Sequence, residues 1–532
     1  MVEAAIRAVR WIGVENPVLP AFAIVRVVQN LLFGGPNRIP PFRSGEKSEK
    51  VIIRVHRIRH WLGKHLSLVE GIALVGLAVI GGAIRAYDIG AKSLWYDEAV
   101  VYWISRTDLS SLVAANAQLN SAPPLYVLLV HFASRIGTSE GVIRSVSWLA
   151  GALAIPLIYF LGRRYVSRRA AFASAMVVAV TPVYVEYSQQ LREYSLAFLL
   201  SALMLLAYGK FKEKGSWIHL GFLATTFCVG VLLQYGLALL ILSLNLAFLV
   251  EVDWLRRNRT ELAKWVAGQV VVLMVLALVW ASTLRFQLSL GGYGYLARGY
   301  FEGSLPSLVT FLLRQTYEIV LFAFPDPPLV ILLMATAIVT RITDGSSPRK
   351  YAHLVIPFLI AAAAGILGLY PYVGARHAIY LFPIICILIA MGFDYLIRVD
   401  RRGIVALLLA ILVARAALLP TLGYLRSQGT ENLKPLVEQL NADLQPGDRI
   451  FVCDGAIPAF RYYYRGDLDQ VVEGASTEYW QQQLSSLVDT SGRVWLVASH
   501  CGDVSTYVNF ASQRRPMEEV GSKDQAWLYL SP

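Results

Sequence analysis

Long apolar stretches separated by short basic loops dominate the chain. Runs of about 17–25 apolar residues, the length that crosses a bilayer as a helix, begin at roughly 66–86 (LSLVEGIALVGLAVIGGAIRA). They recur near 143–162, 170–187, 195–209, 217–235, 237–254, 264–284, 327–341, 353–369, 377–397 and 403–420. Two further apolar segments, 123–137 and 306–324, are short or interrupted and read as re-entrant, interfacial or spanning. The pattern predicts a polytopic all-α membrane protein of about 11–13 transmembrane helices over residues 65–425, with a first outer loop at about 87–142.

Both ends read differently. The stretch 17–34 is broken by Pro and Arg and predicts an interfacial amphipathic helix on a basic segment, 1–64, which shows no compact apolar core with a cleavage site. Residues 426–532 alternate strand-like runs (RIFVCDG, RVWLVASHC, AWLYLSP) with helix-like ones (LKPLVEQLNADL, TEYWQQQLSSLVD, STYVNFASQRR). This predicts a small soluble α/β domain with no Gly-rich phosphate loop and no nucleophile elbow. An acceptor-positioning or structural role suits it better than a second active site.

Composition agrees: 56% hydrophobic and 16% charged residues among 532, with a mean hydropathy of +0.53, exclude an ordinary soluble enzyme. Charge is split. Residues 1–429 hold 40 Lys+Arg against 22 Asp+Glu, and residues 430–532 hold 8 against 14. A basic excess beside membrane spans reports orientation, not nucleic-acid binding. The N-terminal 64 residues carry eleven Lys/Arg and four acids. Basic loops follow at Arg163, Arg164, Arg168 and Arg169; Lys210, Lys212 and Lys214; Arg256, Arg257 and Arg259; Arg341, Arg349 and Lys350; and Arg398, Arg401 and Arg402. With eleven spans all of them share the N-terminal, cytoplasmic side of an inner membrane. The loops near 87–142, 188–194, 285–308 and 370–376, and the C-terminal domain, then face outward.

Cys228 and Cys386 lie in apolar spans and read as buried thiols. Cys453 and Cys501 each close a predicted outward strand, which permits a disulfide or two buried thiols. His56, His60 and His65 lack acids or cysteines to complete a metal site.

Chemistry concentrates in SLWYDEAVVYWISR, 93–106, where adjacent Asp97 and Glu98 open a short interfacial helix after the first span. Carboxylates in such partly dry places persist with partners or with a task, and a helix N-terminus favours them; helix capping is the simpler reading. Downstream follow SAPPLYVLLVHF (121–132), GVIRSVSWLAGALAIPLIYFLGRRY (141–165), TPVYVEYSQQLREYSLAFLL (181–200) and YPYVGARHAIYLFPIICILIA (370–390). This order resembles the GT-C superfamily of membrane glycosyltransferases. It is nearest to bacterial relatives of the dolichyl-phosphate-mannose–protein mannosyltransferases and of the aminoarabinose transferase acting on lipid A, of the glycosyltransferase family 39 type. The resemblance runs over about 66–420 and is strongest over 93–200.

It implies a GT-C-like fold and transfer of a sugar from a polyprenyl-phosphate donor to a lipid, glycan or protein acceptor on the outer face. Asp97 would be the general base or acceptor-orienting group and Glu98 its support, since an attacking hydroxyl must lose a proton. Adjacent acids cannot bracket a sugar as a retaining pair does, so single-displacement inversion is expected. The leaving phosphate calls for fixed cations. Arg192 and Arg376, with Tyr194 and His377 beside them, stand in outward breaks; an Arg192 pairing with Glu193 or Glu186, or an Arg376 snorkelling to headgroups, are the plainer readings. The segment 285–304, with Tyr293, Tyr295 and Arg298, suits a lid or an ordinary flexible loop. No metal signature stands out, and the resemblance leaves open a divalent cation at Asp97 and Glu98.

A transporter or flippase of lipid-linked sugars is the alternative, though it calls for internal repeats and midplane charges. A third reading is an inactive envelope scaffold.

Overall fold

The computed structural model describes residues 66–250, 259–290, 293–345, 347–399, 404–427, 429, 431–474, 476–489 and 492–531. The N-terminal interfacial helix and the histidines at 56, 60 and 65 lie outside these residues.

The apolar runs fold as helices. Helix α1 is Leu66–Ala86, followed by the short α2 (Tyr96–Ser105) and α3 (Leu125–Ile136). Then come α4 (Ser145–Gly162), α5 (Arg168–Val180), α6 (Tyr194–Lys214), α7 (Trp217–Leu233) and α8 (Tyr235–Val250). The series continues with α9 (Arg259–Val279), α10 (Leu305–Ala323), α11 (Pro327–Thr343), α12 (Ala352–Ile366), α13 (Phe382–Val399) and α14 (Ile404–Arg426). Each expected span is helical over most of its described residues, but lengths differ, and the 170–187 run breaks at Thr181. Among the described residues six helices are long and apolar enough to cross a membrane, or seven when α10 and α11, bent by 106° at Phe324–Asp326, count as one. At 1.5 Å per residue, α7 and α8 are shorter than a 30 Å hydrocarbon layer. The segment 123–137 yields only the twelve-residue α3, and 306–324 becomes one arm of the bent pair.

Helix α4 packs against α1, α5 and α6, while α13 packs against α5 and α11. Residues 382–394 of α13 are all buried, which makes it the bundle's centre. Leu68, Ile72, Val75 and Val79 on α1 remain exposed, as lipid-facing side chains must. The buried Arg85 near the end of α1 gives hydrogen bonds to the carbonyls of Val178 and Ala179 at 2.7 and 2.9 Å and to Ser188 Oγ at 3.1 Å. A cation thus sits on the negative end of α5 and satisfies carbonyls that the helix leaves unpaired.

After α14, the chain forms α15 (Leu433–Asp443), β1 (Arg449–Val452), α16 (Ile457–Tyr463), β2 (Val471–Glu473), β3 (Val494–Ser499), β4 (Glu518–Lys523) and β5 (Ala526–Ser531). Further helices lie at Ser476–Val488 and Val504–Ser512. The sheet order is β2-β1-β3-β5-β4, with β1 parallel to β2 and β3, and β5 antiparallel to β3 and β4. The three runs read as strands are β1, β3 and β5. The edge strands β2 and β4 escaped that reading because VVE is short and EEVGSK has no apolar face. The domain docks on the segment that follows α1 and on α2: Ser93 Oγ donates to Asn432 at 2.8 Å, Leu94 N to Tyr463 Oη at 2.7 Å, and Trp103 Nε1 to the Pro458 carbonyl at 2.9 Å.

Cys453 and Cys501, closing β1 and β3, are joined as a disulfide with Cα atoms 6.3 Å apart. Cys228 and Cys386 are free thiols. Denatured protein without reductant should titrate two thiols and Cys453→Ser three; an unchanged titration would count against the bridge.

Candidate functional site

Three separate polar breaks meet at the N-terminus of α2. The first carries Trp95, Tyr96, Asp97 and Glu98. The second is the turn before α6, with Arg192 and Glu193. The third is the 3-10 turn Arg376–Leu381 that leads into α13. Just before the third, Gly374 lets the chain pass close to α10: a Cβ there would lie 2.2 Å from the Glu318 carbonyl oxygen.

Adjacent in sequence, the two acids have different surroundings. Glu98 is buried, 1% exposed, in an ion pair with Arg144 at 2.7 Å. Arg144 spends all five N–H groups: Nε and Nη2 on Glu98 at 2.9 and 2.7 Å, the others on the carbonyls of Ile89, Lys92 and Ser93 at 2.8–2.9 Å. Glu98 also accepts from the backbone N–H of Leu191 and from Trp95 N at 3.4 Å. Burial disfavours the Arg144 charge, yet Glu98 more than offsets it and holds the guanidinium above its ordinary range. Glu98 therefore ties α2, the start of α4 and the turn before α6 together.

Asp97 points the other way. Its Oδ2 lies 3.0 Å from Arg376 Nη1 and 4.0 Å from Arg192 Nη1, with Asp97 21% and Arg376 25% exposed. Arg192, almost fully buried, also pairs with Glu193 at 3.3 Å. Burial opposes its charge, but Glu193, Tyr194 and Asp97 keep it above the ordinary arginine range. The Tyr194 ring sits between the cations, 5.4 Å from the Arg192 guanidinium and 5.8 Å from that of Arg376, and Arg376 also lies 5.4 Å from the Trp95 ring. The Pro-Pro segment supports the second break: Tyr126 Oη and Ser147 Oγ are 2.7 Å apart, and Ser147 Oγ donates to the Arg192 carbonyl at 2.8 Å.

The structure thus brings Asp97, Arg192, Arg376 and Tyr194 together, and joins Glu98 to them through the backbone. His377 turns toward Tyr370, with ring centroids 6.2 Å apart, and its carbonyl accepts from Tyr370 Oη at 3.3 Å. The segment Tyr293–Gly299 is a 3-10 turn tied down at its far end. Gly299 O accepts from Tyr372 N at 2.8 Å, and Arg298, itself exposed, offers its carbonyl to Gln315 Nε2, also at 2.8 Å. Its anchoring residue, Tyr372, lies four residues before Arg376 in the chain. Among the described residues, one trio of metal-ligating side chains lies within mutual reach, Cys453, Asp454 and Cys501, and its two sulfurs are bonded to each other.

Sequence reasoning gave no role to Arg144, because an arginine opening an apolar span reads as snorkelling. Trp95 had no assigned role, and Glu431 and His500, described below, carried no signal in a soluble domain.

Removing one partner of the buried pair leaves an unpaired charge. Arg144→Met should destabilise by about 3–5 kcal/mol, read as a lower Tm in detergent, and Glu98→Gln in the same chain should recover part of the loss. An unchanged Tm for Arg144→Met would contradict this assignment.

Residues 121–280 match the family model described as dolichyl-phosphate-mannose-protein mannosyltransferase. That stretch includes Arg144, Arg192 and Tyr194, while Asp97 and Arg376 lie outside it. No curated protein matches the chain in sequence. Among solved structures the chain is similar to ArnT from Cupriavidus metallidurans in the apo state, with a TM-score of 0.53 and 15% identity over 86% of this chain and 98% of that one. The same protein bound to undecaprenyl phosphate gives 0.51 and 16%, covering 86% and 97%. The Archaeoglobus fulgidus oligosaccharyltransferase in complex with Zn and sulfate gives 0.51 and 14%, covering 82% and 69%. The chain thus has a GT-C-like fold with a small C-terminal sheet domain, and over residues 121–280 it is similar to the dolichyl-phosphate-mannose-protein mannosyltransferases.

Proposed function

We propose that the protein transfers a sugar from a polyprenyl-phosphate donor to a lipid, glycan or protein acceptor, with Asp97 as general base and Arg376 and Arg192 as the cations that receive the leaving phosphate. The observation that carries this reading is one partly open carboxylate, Asp97, flanked by two guanidinium groups at 3.0 and 4.0 Å from breaks nearly two hundred residues apart. The similarity of residues 121–280 to dolichyl-phosphate-mannose-protein mannosyltransferases and the undecaprenyl phosphate bound by ArnT support a polyprenyl-phosphate donor. By the arrangement of basic loops, the site faces the extracytoplasmic side of the inner membrane with the N-terminus in the cytoplasm.

The chemistry follows from the surroundings. The acceptor oxygen attacks the anomeric carbon while the carbon–oxygen bond to phosphate breaks. Asp97 takes the hydroxyl proton, and the phosphate leaves with the bonding pair. Charge grows on the phosphate oxygens, where fixed cations lower the barrier most. While Arg376 holds Asp97, the carboxylate oxygen is engaged. An arriving phosphate competes for Arg376 and frees that oxygen for the acceptor hydroxyl. Tyr194 and His377 border the phosphate position, and Tyr293, Tyr295 and Arg298 lie on the segment that would close over it. Glu98 is spent on Arg144 and so cannot bracket the sugar together with Asp97, which favours one inverting displacement over a covalent intermediate on this acid pair.

A divalent cation does not fit between Asp97 and Glu98. Glu98's oxygens are taken by Arg144, Leu191 and Trp95, and Asp97 faces two permanent cations. No step is assigned to a metal.

Purified protein incubated with a panel of polyprenyl-phosphate hexoses and an envelope extract should release polyprenyl phosphate. Passage of the intact lipid-sugar across vesicles without release would indicate a transporter. Asp97→Asn should lower release by about a hundredfold or more while expression and insertion stay normal. Arg376→Ala should raise the donor concentration for half-maximal rate by about tenfold; an unchanged donor dependence would remove Arg376 from phosphate binding.

A further inference from the structure

Strand order in the C-terminal sheet places a reversal between β1 and β3: the chain leaves β1 for β2 on one side and returns to β3 on the other. In open α/β sheets the crevice beyond the carboxyl ends of strands at such a reversal gathers functional side chains. Here those ends carry Cys453, Asp454 and Gly455 on one loop and His500, Cys501 and Gly502 on the other, joined by the disulfide. Their contact is close: a Cβ on Gly455 would lie 2.1 Å from the His500 carbonyl oxygen. His500 itself adopts a left-handed backbone, φ 56°, uncommon for a residue with a Cβ.

This loop pair meets the transmembrane domain at the first residue of α2. The His500 ring stacks flat on the Tyr96 ring, with centroids 4.6 Å apart and planes parallel. His500 Nδ1 is 2.7 Å from Glu431 Oε1, and Glu431 Oε2 accepts the backbone N–H of Tyr96 at 3.0 Å. That N–H is a first-turn donor with no partner inside its own helix. One carboxylate therefore holds both the imidazole and the backbone, and the imidazole covers the side chain of the same residue. The next residue is Asp97.

We infer that Glu431 and His500 are positioning residues for Asp97: the C-terminal domain clips the start of α2 by backbone and ring together, and the aim of the Asp97 carboxylate toward Arg376 depends on that clip. The catalytic consequence rests on the function proposed above; the clip itself does not.

The groups facing His500 are Glu431 from the segment before α15, Asp454 from the loop after β1, and Tyr96 and Asp97 from α2. The hydrogen bond to Glu431 raises the His500 pKa above its ordinary value against the opposing effect of burial, and the Asp97 and Asp454 charges add to it. The ion-paired clip is therefore complete below the ordinary histidine value and weakens as pH rises through the raised one. Sugar transfer should fall along that alkaline limb.

The test uses the full-length protein with polyprenyl-phosphate hexoses as donors, alongside NMR of ¹³C-labelled histidines assigned with His500→Gln. His500→Ala should lower kcat on the order of tenfold with the donor half-saturation unchanged. His500→Gln, whose amide still donates to Glu431, should restore most of the rate and lose the alkaline limb. Glu431→Gln should move the His500 titration to lower pH, a readout that needs no catalysis. The inference is overturned if His500→Ala keeps the wild-type kcat and pH profile, if the limb persists in His500→Gln, or if Glu431→Gln leaves the His500 titration in place. Coupled titration without lipid-phosphate release from any donor supports the clip and refutes the proposed function instead.

Discussion

The buried pair of Glu98 and Arg144 is the constraint on which the site's geometry rests. Taking two charges out of water costs several kcal/mol each, and Coulomb attraction alone does not reliably offset it. The compensation here is complete hydrogen bonding: five arginine N–H groups with five acceptors, and a carboxylate that takes two of them plus two backbone N–H groups. Three of those acceptors are carbonyls of the 89–93 loop, so the pair fixes a segment that has no regular structure of its own. The direction of α2 follows, and with it the side on which Asp97 emerges. A helix start permits this division of labour, because successive side chains diverge by about 100° around the axis. One acid turns inward and the next stays partly open.

Electrostatic balance around Asp97 follows from the same frame. Within the cluster, Arg192 and Arg376 face Asp97 and Glu193, so the charges nearly cancel. Arg192 has no freedom to leave, being buried, bonded to Glu193 and held through its backbone by Ser147. Arg376 is more exposed and comes from a turn bordered by aromatic rings. The fixed cation and the adjustable one are thus different residues, and an anion entering the site would draw on Arg376 first.

Much of this was legible in the sequence. Asp97, Arg192 and Arg376 stood out because each interrupts apolar helices, where an ionisable side chain is costly enough to need a reason. Span positions were readable to within a few residues; span lengths were not, since hydropathy does not show where α10 and α11 bend or that α3 stops after twelve residues. Strands β1, β3 and β5 announced themselves by apolar runs, while β2 and β4 take their strand character from a neighbour's hydrogen bonds. Glu98 was read as an aid to chemistry because its neighbour in sequence was Asp97. Its actual partner, Arg144, lies 46 residues away, immediately before α4. Proximity along the chain misled where packing decided.

The C-terminal domain shows the same limit from the other direction. Nothing in its own sequence points to His500 or Glu431, since one histidine and one glutamate in an acidic soluble domain are unremarkable until docking is known. Docking is specified by contacts spread over both partners: Ser93 with Asn432, Leu94 with Tyr463, Trp103 with the Pro458 carbonyl. These hold the 93–96 strip on both sides, with Arg144 from beneath and the sheet domain from above. A segment held that way loses little further freedom when a ligand arrives, which is the condition under which a positioned carboxylate acts without first paying to be ordered. On this view the sheet domain is part of the site's rigidity.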